Sequence, residues 1–424
     1  MRVLLISANT EPINMPILPM GLGAVAAATE KAGHEVELLD LMRVSDTGRA
    51  IMEAVERFPP RMIGIGVRNI DDQNMQAPIF LLDQVKEVIS HCRSFSGAPI
   101  VLGGAGYSIF PEGVLSYLGA DMGIQGEGEM AFPALLEHVE QGADLSRAAG
   151  LYLPGLGLQG ERTFATDLDV FPFPDVRLWP AYLAKDQGLW VPIQTRRGCP
   201  LDCSYCSTAT IEGRIIRKFR AERVVDVIAR YFETGFERFF FVDNTFNMPP
   251  SYAREICGAL IARGMGISWG CIVYPGSLDE GLAKDMARAG CTQVSVGFES
   301  GCDRILRNMN KRFTVEAVRR SCAMLGDQGI RRMGFLLLGG PGETKASVEE
   351  SLNFVDALQL EAVKMTVGIR IYPGTPLAET ALREGVISNQ DGLLFPSFYL
   401  QRGLEGWLQE TVLGWMVDHP KWVT

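Results

Sequence analysis

Short apolar runs alternate with helix-period stretches from the first residue onward, and this alternation narrows the fold more than any other feature. RVLLIS (2–7), EVELLDL (35–41), MIGIGV (62–67), PIVL (99–102) and MGIQ (122–125) are separated by helical patterns at 20–33, 48–57, 77–92 and 129–141. Strand–helix units of roughly 30 residues are βαβ crossovers, which need a parallel sheet covered by helices on both faces. The fold class is therefore α/β, beginning with a doubly wound parallel sheet. Ligands of such sheets bind at the carboxyl ends of the strands. Here those ends carry Asn9 after the first run, Arg68 and Asn69 after the third, Gly103 and Gly104 after the fourth, and Gly126 and Glu127 after the fifth. Glycine lets a backbone approach a bulky ligand closely, although the same loops also serve simply as tight turns.

The pattern fades over 151–190, where GLYLPGLGLQGERTF and FPFPDVRLWPAY are rich in proline, glycine and aromatics and read as a linker. It resumes with apolar runs at 191–195, 238–242, 267–273, 293–297, 333–338 and 364–371. Six strands with helices between them suit a partial (βα)6 barrel, open on one side. The expected organisation is a Rossmann-like domain at 1–150, the linker at 151–190, the barrel at 191–385 and a C-terminal cap at 386–424.

Forty basic residues against fifty acidic ones give a net charge of −10, so the chain lacks an overall positive field for gripping phosphate backbones. Nucleic acid is not an expected partner. No apolar stretch approaches the ~18 residues of a membrane span, and the N-terminal run is too short for a signal peptide. The expectation is a cytoplasmic protein whose nine cysteines are reduced thiols or metal ligands.

Spacing separates those two kinds of cysteine. RRGCPLDCSYCST (196–208) sets Cys199, Cys203 and Cys206 in a C-x3-C-x2-C pattern directly after the first barrel run. Three thiolates on one loop can hold three irons of a 4Fe-4S cube and leave the fourth iron open to a ligand. A zinc site is the alternative. Zinc usually takes four protein ligands, and the four histidines (34, 91, 138, 419) are all distant in sequence. The other six cysteines are scattered and read as small buried apolar residues.

The C-x3-C-x-aromatic-C loop opening a partial barrel resembles the radical S-adenosylmethionine (SAM) superfamily. The resemblance implies that SAM binds the open iron through its amino and carboxylate groups, with Tyr205 near the adenine. By the same likeness, Asp243 and Asn244 at the end of the second run would meet the SAM amino group. Glu299 in GFESG would reach the ribose, and Arg312 in MNKR would pair with the carboxylate. Gly339 in GxLxxGGPGE and Tyr372 in IYPGTP match the segments that line the adenine.

An α/β domain ahead of this barrel, with VLGGAGYSIFPE, GADMGIQGEGE and the FPFPD linker, resembles the cobalamin-binding subfamily of these enzymes. The likeness implies cobalamin near Asn9, Arg68, Asn69, Gly103, Gly104, Gly126 and Glu127. The histidine motif D-x-H-x-x-G that supplies a lower cobalt ligand elsewhere is absent, which makes Arg68 the candidate beneath the corrin. The implied activity is reductive cleavage of SAM to a 5'-deoxyadenosyl radical and methylation of an unactivated carbon in a small molecule, natural product, lipid or peptide. A flavodoxin- or ferredoxin-type electron donor would supply the cluster. The alternatives are rearrangement, cyclisation or bond cleavage without methyl transfer, and a non-catalytic Fe-S sensor.

Overall fold

The structure is a computed structural model and describes residues 1–11, 18–186 and 188–419, with the backbone at 422 and 423. The chain forms two compact units. The first comprises Met1–Asp72, Ile79–Trp190 and Thr208–Lys218; the second comprises Gln73–Pro78, Val191–Ser207 and Phe219–Thr424.

In the first unit, strands β1 (Arg2–Ser7), β2 (Glu35–Asp40), β3 (Met62–Gly66), β4 (Ile100–Gly103) and β5 (Met122–Ile124) form a parallel sheet in the order 2-1-3-4-5. β1 and β3 are central and buried on both faces, so they read as unbroken apolar runs. β2 lies at the edge and is only half-buried, which leaves room for its glutamates. Helices Met20–Lys31 and Gly128–Gln141 pack together, and so do Thr47–Arg57 and Leu82–Phe95. Val3, Leu5, Met62, Val101, Phe132 and Leu136 share one core between sheet and helices.

Three features of this unit differ from the sequence expectation. Part of the predicted linker is β-structure: β6 (Leu151–Leu153) and β7 (Gly157–Gln159) extend the sheet as an antiparallel hairpin on β5. The third helix begins at Leu82 rather than 77, because residues 73–78 group with the second unit. Two short helices, Ala105–Ile109 and Pro111–Leu118, stand where no helix was read.

The second unit carries six parallel strands that pair in chain order: Val191–Ile193, Arg238–Phe241, Ser268–Val273, Cys291–Glu299, Arg331–Leu338 and Ala362–Val367. The first and sixth do not pair, so the barrel is open, as expected. Amphipathic crossovers cover it; in Ala221–Glu233 the buried face is Val224, Val225, Val227, Ile228 and Tyr231. The predicted sixth run is interrupted at Gly368 (φ 77°), after which Ile369–Arg370 pairs antiparallel with Phe398–Tyr399 of the C-terminal region. A short strand, Trp422–Val423, adds to the open edge beside the sixth strand. Among the described residues, no helix is long and apolar enough to cross a membrane.

Candidate active site

The cysteine loop leaves the buried first barrel strand and is braced from two sides. Ser204 N donates to Met309 O (3.1 Å), Asn310 Nδ2 donates to Asp202 O (3.1 Å), and Arg312 pairs with Asp202 (2.9 Å). From the segment after the sixth strand, Leu377 N donates to Ser204 O (2.8 Å). A turn closes between Cys203 and Cys206 (3.2 Å). Backbone contacts within the protein therefore shape the loop on both sides of Cys203.

Cys199 is buried, Cys203 half-buried and Cys206 exposed. Burial pushes the Cys203 thiol up, Lys311 pulls it down, and Cys206, Glu299 and Cys199 add to the upward push. Among the described residues, no three His, Cys, Asp or Glu side chains gather as they would around a single ion. A cube takes one thiolate per iron and spreads its ligands over a larger group, which this open trio fits better than it fits zinc. The remaining six cysteines (92, 257, 271, 291, 302, 322) are all buried, in keeping with an apolar role.

Glu299 ends the fourth strand at a break in register between Gly297 and Glu299, and its φ of 66° is left-handed. A non-glycine residue there costs about 1–3 kcal/mol and persists only where surrounding contacts impose it. Its Oε1 lies 3.1 Å from Lys311 Nζ, with side chains 13% and 6% exposed. The ammonium stands 5.3 Å from the Tyr205 ring centroid and 5.9 Å from that of Phe313. Arg312, the cation favoured by sequence, instead points to the surface, 59% exposed and paired with Asp202. Lys311 is the inward cation. Only side-chain direction separates the two neighbours, and sequence does not carry it.

Asp243 is also placed differently from the sequence expectation. It is buried, but Oδ1 accepts from Thr195 N (2.7 Å) and Arg196 N (3.1 Å), and Oδ2 accepts from Thr195 Oγ1 (2.6 Å). Arg196 Nε lies 3.8 Å from Oδ2, while the rest of the guanidinium donates to the carbonyls of Phe246 and Met248 and sits 5.0 Å from the Tyr252 ring. The carboxylate ties the end of strand two to the turn after strand one. Asn244 follows, half-buried and engaged. Arg196 was missed from sequence; the clue is a charge set three residues after a wholly apolar strand, Val191–Ile193.

Gly339 (φ 94°) opens the turn after strand five, where an added Cβ would come within 2.6 Å of Leu400. Its N–H and that of Gly340 both donate to Oε2 of Glu343, which is 3% exposed. The other oxygen, Oε1, has no partner, and burial pushes the group up to about 7. Tyr372 is buried at the end of the sixth strand, 5.2 Å from the Arg370 guanidinium. Tyr107, Phe246 and Tyr399 are fully buried, and Tyr274 accepts the Arg312 N–H through its hydroxyl (3.0 Å). Lys345 lies 5.0 Å from the Trp407 ring.

In the first unit, the 2-1-3 strand order places a topological switch between β1 and β3. Asn9 follows β1 there, and Arg68 and Asn69 follow β3. Arg68 is solvent-accessible yet hemmed in enough that desolvation alone lowers its pKa; no carboxylate offsets it. Gly104 (φ 104°) is required for close approach, because a Cβ would sit 2.6 Å from Val67 O; Gly103 meets no such limit. Among the described residues no histidine lies at the switch: His34 contacts the N-terminal amine (3.0 Å), His91 packs against Gly48, and His138 and His419 bond helix carbonyls one turn back.

Glu127 does not face outward from the strand ends. Both oxygens are engaged, Oε1 by Arg217 (2.6 Å) and Oε2 by Ala165 N (2.8 Å), in a buried pair. Arg217 also donates to Ala165 O and Glu212 O. Arg162, beside Gly126, donates to Thr210 O (2.7 Å) and Ile211 O (2.6 Å). These groups fasten Thr208–Lys218, the stretch following the cysteine loop, within the first unit.

Comparison with known proteins accords with both halves. Residues 6–136 match the B12 binding domain, and residues 193–355 match the Radical SAM superfamily. An uncharacterised methyltransferase of Pyrococcus horikoshii is 26% identical over 91% of this chain and 84% of its own length. The cytidylyl-2-hydroxyethylphosphonate methyltransferase of Streptomyces wedmorensis is 24% identical over 88% and 80%. The radical SAM methyltransferase TsrM of Kitasatospora setae, solved with cobalamin and a [4Fe-4S] cluster bound, superposes with a TM-score of 0.87 at 23% identity, covering all of this chain and 92% of TsrM; at that identity the likeness speaks for the fold. The chain carries a B12 binding domain followed by a Radical SAM domain.

Proposed function

We propose that this enzyme is a cobalamin-dependent radical SAM methyltransferase that methylates carbon in a small molecule, natural product, lipid or peptide. The observation that carries this reading is end-to-end similarity, across both domains, to curated relatives named as methyltransferases. Cys199, Cys203 and Cys206 hold the cluster on a loop whose backbone is already braced at Asp202 and Ser204. Tyr205, Glu299, Gly339 and Tyr372 surround the SAM side of the barrel, and Lys311 takes the place that sequence suggested for Arg312. Asn9, Arg68, Asn69 and Gly104 form the cobalamin end of the first unit. Arg68, which has no carboxylate partner among the described residues, would present an unneutralised cation to the cobalamin. When bound, the cluster supplies a single electron to the SAM sulfonium and cobalamin carries the methyl group. The chain's own residues orient these groups, and beside the second and third strands Phe241, Phe246 and Trp269 pack with ring centroids 5.0–5.1 Å apart.

The test is anaerobic reconstitution with iron, sulfide and cobalamin, then visible spectra and mass spectrometry of the SAM products in the presence of candidate acceptors. S-adenosylhomocysteine together with 5'-deoxyadenosine supports methyl transfer. Deoxyadenosine alone moves the assignment to rearrangement, cyclisation or cleavage.

A further inference from the structure

The Glu299–Lys311 pair stands beside the cysteine loop, and its geometry bears on more than the recognition of SAM. Both side chains are nearly buried, and they contact each other at 3.1 Å. Lys311 is fixed by the same 309–312 segment that braces the loop through Met309 O and Asn310 Nδ2, and Asn310 itself adopts φ 56°. Glu299 holds a left-handed backbone at the register break. Two non-glycine residues in that conformation, Glu299 and Asn310, hold one charge of each sign beside the cysteine loop. Lys311 Nζ lies over the ring of Tyr205, which stands between Cys203 and Cys206 in the loop, and Glu299 Oε1 contacts that ammonium at 3.1 Å. In a poorly screened interior such charges act on their surroundings more strongly than they would in water.

Cluster potentials respond to net charge and to the field around the sulfurs. Reduction takes the cluster from its 2+ to its 1+ core by one electron, here from titanium(III) citrate or dithionite, with no proton taken up. Added negative charge is favoured by the cation and opposed by the anion. We propose that the Glu299–Lys311 pair sets the reduction potential of the cluster, Lys311 acting as a positioning residue that favours the reduced state and Glu299 holding that bias in check. The proposal rests on the reading that Cys199, Cys203 and Cys206 hold the cluster.

Potentiometric titration of the reconstituted full chain without SAM, followed by the electron paramagnetic resonance signal of the reduced cluster, tests it. Lys311→Met should move the midpoint to more negative potential, Glu299→Gln should move it to more positive potential, and the double variant should fall between them. Lys311→Arg should stay near the wild type. Shifts that are absent or of the same sign in both single variants overturn the proposal. If Lys311→Met does not retain a cluster, the sign of the Glu299→Gln shift decides alone. Wild-type protein that takes up no cluster defeats the cofactor reading itself; loaded protein with unmoved variants defeats only the electrostatic proposal.

Discussion

Asp243 offers the sharpest separation between a ligand contact and a structural latch. Asp243→Ala removes the acceptor of two buried backbone N–H groups and one hydroxyl, and leaves Arg196 without its carboxylate. Each unsatisfied buried donor costs about 1–3 kcal/mol, and breaking a buried ion pair costs about 3–5 kcal/mol. The losses share one site and do not add in full, so the expected destabilisation is about 4 kcal/mol. Asp243→Asn is milder: its carbonyl keeps the Thr195 and Arg196 N–H bonds, and the Thr195 hydroxyl can turn to accept from the amide. Only the charge opposite Arg196 is lost, for about 1–3 kcal/mol. Equilibrium urea unfolding of the full chain, with SAM binding by the reconstituted protein measured alongside, reads both quantities. A graded loss, Ala well beyond Asn, with the asparagine variant still binding SAM, is the expected outcome. An alanine variant as stable as the wild type that has lost SAM affinity would refute the latch and return Asp243 to the ligand.

Two other carboxylates give further tests. The folded chain holds the Glu343 proton up to about pH 7, whereas the unfolded chain releases it near 4.5, so this group's contribution is full below about 4.5 and is lost as pH rises through about 7. It amounts to roughly 3 kcal/mol; Glu343→Gln should flatten that part of the stability profile in urea unfolding between about pH 5 and pH 8, and an unchanged slope would show that another group titrates. Arg217→Met leaves Glu127 buried without its cation, at about 3–5 kcal/mol. Limited proteolysis should then cut the 208–218 stretch faster than in the wild type, and equal cutting rates would mean that Arg162 holds it alone.

The elements easiest to read from sequence were those whose burial writes itself into composition. Arg2–Ser7 and Met62–Gly66 are covered on both faces, so every inward position is apolar and the run has few alternatives. The hairpin at Leu151–Leu153 and Gly157–Gln159 was read as linker because three-residue strands have no period to detect; they exist by pairing with β5, a long-range contact. The cysteine loop was legible because its chemistry depends on spacing along the chain.

The acidic residues were harder, because a carboxylate at a strand end looks the same in sequence whether it faces a ligand or a distant arginine. Asp243 is claimed by a residue 47 positions earlier and Glu127 by one 90 positions later, in each case across elements that the local pattern does not relate. Glu299 differs in a way the structure makes plain. Asp243 and Glu127 keep backbones with no positive φ, and their contacts are made largely to main-chain groups that any turn must satisfy. Glu299 holds a strained backbone to meet a single cation that itself faces the cysteine loop. A fold that needed only a latch there could use glycine or a relaxed turn, so the strain at Glu299, more than its charge or its place at a strand end, supports the role proposed for it beside the cysteine loop.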